Sequence, residues 1–414
     1  MATGSSSRSI RRRRSAGEWV GRIALGCGIS VLAYLSVAFS VAHVETKSAR
    51  RTTSVMASYD GRLGAEHAAA LLTTTTTGAG RERLAALSRA ALQRDPTAVG
   101  AAATLGLVEL ARGDITNSRR LLAYSQMLSR RNVQTQLWSI EDAVTRNDIA
   151  GALRWYDITL RTKPTLGDMI FPVLTQAMRD PAIRDALIGT LAGRPNWADS
   201  YIGYAAGQGA DPLSTMALFL GLRQRGIAVP QAAQAAVVEA LLNSGHSNEA
   251  WRYYATLRPD PDRSHARDPL FNAMLDAPSL FDWTLFNDGN VSTSIQRTPG
   301  GGAVEFSAPS GSGGALLQQV QMLPPGTYRL AGHSSGIEQE VGEMPYWALI
   351  CRRDRRELGR VALPNSAQAG GAFAGHIKVT ADCPVQVLVL YAPPSDAVNG
   401  VSGQIDSVTL APQR

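Results

Sequence analysis

Tyr346-Trp347-Ala348-Leu349-Ile350-Cys351 and Val385 to Leu390 are the stretches that decide the C-terminal fold. Successive side chains of a strand point to opposite faces, so Trp347, Leu349 and Cys351 share one face of the first stretch. In the second, Val385, Val387 and Val389 lie opposite Gln386, Leu388 and Leu390. Two faces of different polarity are what packed sheets require. Working outward, similar alternating runs are Ala303 to Ser307, Ala315 to Met322, Thr327 to Ala331, Gly359 to Leu363, His376 to Thr380 and Gln404 to Leu410. Gly, Pro and Asn/Asp clusters separate them at sandwich-like spacing, which predicts an all-β sandwich over residues 270–414.

Upstream, residues 65–267 are rich in Ala, Leu and Arg with short turn signals and predict successive helices. A shift of thirty-four residues aligns Gly113-Asp114 with Asn147-Asp148, and Pro96 and Pro164 stand twice that distance apart. Around these turns, small and large residues recur: Leu105-Gly106, Ala152 with Tyr156, and Ala250 with Tyr254. The pattern resembles the tetratricopeptide-repeat family over Leu105 to Pro164 and Val237 to Leu257, with departures at Ser118 and Arg130. That resemblance implies stacked helix pairs whose concave surface binds a peptide or protein. The C-terminal region, from Phe281-Asp282-Trp283 through Pro325 to Leu330 and Gly403 to Leu410, resembles jelly-roll modules of the carbohydrate-binding and galactose-binding-like kind. This second resemblance implies a polysaccharide partner and an exposed aromatic platform. The candidates are Trp283, Tyr346, Trp347 and Tyr391, of which Trp283 and Trp347 also suit the core.

Ile23 to Ala42 is a run of twenty uncharged, mostly apolar residues, enough as a helix to cover the ~30 Å hydrocarbon thickness of a bilayer. The expectation is a transmembrane helix over 23–44, behind a basic tail at 1–22 and followed by a linker at 45–64. Arg8, Arg11 to Arg14 and Arg22 outweigh Lys47, Arg50 and Arg51 across the run, which predicts a cytoplasmic N-terminus. The bulk of the chain is then periplasmic, held to the inner membrane by a single pass unless cleaved after Ala42. The expected fold class is multidomain: one transmembrane helix, an all-α helical-repeat solenoid and an all-β jelly-roll-like sandwich. Residues 1 to 51 hold nine of the 41 basic and two of the 34 acidic residues, which accounts for the whole net charge of +7. The remainder is neutral and offers no basic groove for nucleic acid.

An extracytoplasmic setting makes Cys351 and Cys383 a candidate disulfide. Gly332-His333-Ser334-Ser335-Gly336 matches the nucleophile-elbow expression, but no amphipathic helix follows it, as a hydrolase elbow requires. No histidine pair at helical spacing and no phosphate-binding glycine loop occurs, so no metal, cofactor or catalytic residue is expected. These features predict a non-enzymatic scaffold. Its helices bind protein partners of the cell envelope and its sandwich a glycan, in envelope or exopolysaccharide assembly. The competing class is a hydrolase or lyase acting on a polysaccharide or ester.

Overall fold

The computed structural model describes residues 25–34, 36, 60–72, 74, 77–209, 211–298, 301–340 and 342–413. The chain forms helices followed by two antiparallel sheets, in two compact units, residues 1–163 and 164–414. Among the described residues no helix is long and apolar enough to cross a membrane. Residues 25–34 and 36 are helical and exposed. The expected membrane helix at 23–44 and the single-pass inner-membrane placement are corrected accordingly. The tail at 1–22, the rest of the apolar run, cleavage after Ala42 and most of the linker at 45–64 lie outside the described residues.

The first unit contains α1 (Gly61–Leu72), α2 (Gly78–Arg94), α3 (Val99–Ala111), α4 (Ile115–Leu128), α5 (Val133–Thr145) and α6 (Ile149–Thr162). The thirty-four-residue shift maps α3 onto α5 and α4 onto α6. Each hairpin turns in the same way. Gly113 (φ 85°) and Asn147 (φ 55°) take the left-handed conformation that ends a helix. Asp114 and Asp148 then cap the next helix, accepting from the backbone N–H of Asn117 (3.0 Å) and Gly151 (2.8 Å). Gly106 lets α3 and α4 approach closely: a Cβ there would stand 2.7 Å from Leu122 Cγ.

The second unit begins with α7 (Gly167–Ala177), α8 (Pro181–Ala192), α9 (Ala198–Gln208), α10 (Pro212–Gln224), α11 (Gln231–Asn243) and α12 (Ser247–Ala255). Pro181 and Pro212 occupy first turns, where a missing N–H costs nothing, behind the capping residues Asp180 and Asp211. The sandwich follows: β1 (Thr284–Leu285), β2 (Ser292–Thr298), β3 (Gly301–Ala308), β4 (Gly314–Gln321), β5 (Gly326–Ser335), β6 (Tyr346–Cys351), β7 (Glu357–Ala362), α13 (Ser366–Ala369), β8 (Ala372–Val379), β9 (Gln386–Ala392) and β10 (Val401–Pro412). One sheet has the order β1-β4-β9-β6-β7 and the other β2-β3-β10-β5-β8.

Register fixes the faces. Trp347 pairs with Leu390 and Leu349 with Leu388, all buried between the sheets, while Tyr346 pairs with Tyr391 on the outer face. Gln386 also falls on the inner face, where it bonds both polar backbone atoms of Leu323 and is thereby satisfied. Cys351 and Cys383 are disulfide-bonded, with Cα atoms 5.7 Å apart, as the sequence predicts. In the loop-entropy account this staple contributes roughly 3 to 4 kcal/mol. Arg352, beside it, donates to the Leu242 carbonyl (3.1 Å) and to Asn243 Oδ1 (2.7 Å), which ties β6 to the end of α11.

Candidate functional site

A cleft of about 850 Å³ opens at one edge of the sandwich, bounded by β1, β2 and the loop that leaves α12. Both strands are edge strands of their sheets, so neither has a neighbour beyond the cleft. The loop Arg258-Pro259-Asp260-Pro261-Asp262 is stiffened because each proline fixes its own φ. Asp268 holds the opposite rim: its two carboxylate oxygens accept from the backbone N–H of Asn272 (2.7 Å) and Ala273 (3.0 Å). Its carbonyl takes the indole N–H of Trp283 (2.9 Å), which sets that ring as one wall.

Under the cleft, Asp282 collects hydrogen bonds from the Tyr254 hydroxyl (2.8 Å), the Ser279 N–H and hydroxyl, and the Arg258 guanidinium (2.9 Å). Burial works against its charge, yet the Arg258 hydrogen bond and charge keep its carboxyl below the usual range. Arg267 donates to the carbonyls of Phe281 (2.7 Å) and Val320 and to Gln321 Oε1 (3.2 Å). Its guanidinium stands 5.3 Å from the ring centre of Trp251, 5.6 Å from Phe281 and 6.0 Å from Tyr254. Burial pushes its pKa down to about 10, still high enough to keep the charge at neutral pH.

The walls combine two chemistries. Leu285, Ile295 and Trp283 are apolar, while Thr284 and Thr293 carry buried hydroxyls that have no hydrogen-bond partner among the described residues. Thr293 is only 4% exposed, so its hydroxyl is committed to this environment. A buried hydroxyl left unpaired costs about 1 to 3 kcal/mol.

Of the platform candidates, Trp347 is fully buried and Trp283 is 6% exposed, their rings 5.7 Å apart in the core. Trp283 reaches the cleft as a wall. Tyr346 and Tyr391 meet on the outer face with ring centres 5.5 Å apart. Arg360 covers the Tyr346 ring at 4.1 Å while paired with Glu357 (2.7 Å), so that ring face is occupied. The two pairs lie on opposite faces of one sheet and form no common surface. Thr284 and Thr293 escape sequence reasoning because both lie outside the alternating runs. The only signal is the β-branched residues of Ser292-Thr293-Ser294-Ile295.

Two arrangements resemble catalytic groups. Ser334 of the elbow-like motif is buried and donates to the Gly371 carbonyl (3.2 Å), so its oxygen is not presented to a substrate. On the cleft rim, Ser264 Oγ (2.9 Å) and Asp262 Oδ2 (2.5 Å) both address Nδ1 of His265. A nucleophile relay needs the hydroxyl and the carboxylate on opposite ring nitrogens.

No protein-family model matches this chain, and no curated protein does. Solved structures similar to it include the enzymatically active domain of tailspike protein 4 from bacteriophage CBA120, at 13% identity and TM-score 0.24 over 32% of this chain. That match spans 20% of the tailspike chain. A structure titled "CBM4 structure and function" is 14% identical at TM-score 0.26, covering 37% of this chain and 99% of its own. A CBM6 module from Clostridium stercorarium in complex with cellobiose is 12% identical at TM-score 0.21, covering 32% of this chain and 95% of its own.

Proposed function

We propose that this protein is a non-enzymatic adaptor whose β-sandwich binds a glycan in the cleft between β1, β2 and the loop leaving α12, and whose helical hairpins dock a protein partner. One observation carries the glycan reading: the unpartnered hydroxyls of Thr284 and Thr293 stand beside the apolar walls of Leu285, Ile295 and Trp283. A pyranose presents hydroxyls at its edge and C–H groups on its faces, which is the complement of such a wall. The volume falls in the ~300 to 1,000 Å³ range of small-molecule sites, which suits a short oligosaccharide. The non-enzymatic reading is supported by the buried Ser334 and by the shared ring nitrogen at His265. The recurrence of α3 and α4 in α5 and α6, with Met127 and Val144 exposed, supports docking of a protein partner.

The test is a glycan array with the full chain, followed by titration calorimetry on the best binder with Thr293→Val. This near-isosteric change removes a hydroxyl that has no partner among the described residues, so resistance to urea is expected to hold or rise. Affinity is expected to fall about tenfold, the equivalent of one hydrogen bond. An array without binding, or a variant that binds like the parent, defeats the reading.

A further inference from the structure

We propose that the cleft selects a glycan bearing a protonated amine, an amino sugar with its amino group free, over neutral and acidic glycans. This inference rests on the glycan reading above and adds the class of ligand.

It follows from how the rim sorts its charges. Asp260, Asp262 and Asp268 line the cleft. Arg263, in the same loop, turns away to stack 5.5 Å from the ring centre of Trp251 and to donate to Asn248 Oδ1 (3.4 Å). The arginines that do line the cleft are engaged within the protein. Arg258 pairs with Asp282 at 2.9 Å, Arg267 is spent on Phe281, Val320 and Gln321, and Arg297 donates to the Ala273 carbonyl at 2.8 Å.

Among the carboxylates, Asp268 accepts from two backbone N–H groups and Asp262 binds Ser264 and His265. Asp260, between the two prolines, makes no hydrogen bond or ion pair among the described residues and is exposed on the cleft rim. It takes the left-handed backbone conformation (φ 43°), a strain a non-glycine residue keeps only where its surroundings hold it. Asp262 is kept below the usual carboxylate range, chiefly by the Ser264 hydroxyl, so it is charged at neutral pH.

Carboxylates alone make no site. The second observation is the Thr293 hydroxyl, buried, unpartnered and on the wall of the same cleft. Among the described residues no group of three or more His, Cys, Asp or Glu is placed to hold a metal ion. An ammonium carried on a sugar needs only one or two of these acceptors, and its ring hydroxyls reach for the threonines. An acidic sugar would bring its charge against Asp260 and Asp262 with no free arginine to meet it.

The experiment titrates the full chain, at about pH 6 where an amine is protonated, with three oligosaccharides of equal length: a glucosamine oligomer, a cello-oligomer and an oligogalacturonate. The glucosamine oligomer is expected to bind about five- to tenfold tighter than the cello-oligomer, as a charge-assisted hydrogen bond allows. The galacturonate is expected to bind weakest. Asp260→Asn is expected to remove the preference by lowering affinity for the glucosamine oligomer to that of the cello-oligomer. Equal affinities for those two, tighter binding of the galacturonate, or a preference that survives Asp260→Asn overturns the amine selectivity while leaving the glycan reading in place. Failure of all three to bind, beside a glycan array without hits, removes both.

Discussion

The fold biases the protonation of the His333 side chain. Its Nδ1 lies 2.7 Å from Asp406 Oδ2 and its Nε2 3.0 Å from the Gly370 carbonyl. Both ring nitrogens thus face acceptors, which favours the doubly protonated ring, and the hydrogen bond to Asp406 is the larger cause of a raised pKa. A group with a raised folded pKa lends stability that is complete below its unfolded value of ~6.5 and is lost as pH rises through the folded value. His333→Gln is therefore expected to cost more stability at about pH 5.5 than at about pH 8. Urea unfolding of variant and parent at both pH values measures this, and an equal cost at the two would contradict the assignment. His333 belongs to an elbow-like motif, yet its observed partners are Asp406 and Gly370, which the motif does not contain. Side-chain partners across a sheet are set by register, which no local expression encodes.

At the scale of elements, Gly106 shows packing overriding propensity. Alanine in a helix interior is favoured over glycine by about 1 kcal/mol. Its Cβ would nevertheless meet Leu122 Cγ at 2.7 Å, and overpacking costs about 1 to 3 kcal/mol. Gly106→Ala is expected to destabilise the first unit by about 1 kcal/mol, measured by the helical circular-dichroism signal in urea. The small residues at hairpin turns and contacts were legible because their thirty-four-residue recurrence is itself a sequence pattern. Strands β3 to β10 were legible because each overlaps a run with alternating character, most plainly β3, where Val304, Phe306 and Ala308 are buried in turn. The edges β1 and β2 were not: β1 has two residues, and Ser292-Thr293-Ser294-Ile295-Gln296-Arg297-Thr298 carries one aliphatic side chain. The strand wall of the cleft was thus invisible in the sequence. The apolar run at 23–42 misled in the opposite direction: its composition suggested a membrane span, yet among the described residues no helix is long and apolar enough to cross a membrane.

For the whole molecule, the division into units at residues 163 and 164 predicts two unfolding steps rather than one. The Cys351–Cys383 bond lies entirely within the second. Calorimetry with and without reductant is expected to show two transitions, of which only that of residues 164–414 moves down. The loss there is roughly 3 to 4 kcal/mol. A single transition, or a shift in both, would contradict this division. Arg267 bears on how the molecule can be dissected. Its backbone N–H and carbonyl hold Gln319 of β4 at 3.0 Å each, while its guanidinium rests against Trp251 and Tyr254 of α12. A fragment excised at residue 270, where the strand pattern begins, would leave behind Tyr254, Arg258, Asp260, Asp262 and Arg267, and with them one wall and the floor of the cleft. The cleft is joint property of α12, the loop that leaves it and the sandwich, so a graft of the β-domain onto another protein would carry the strands without the pocket.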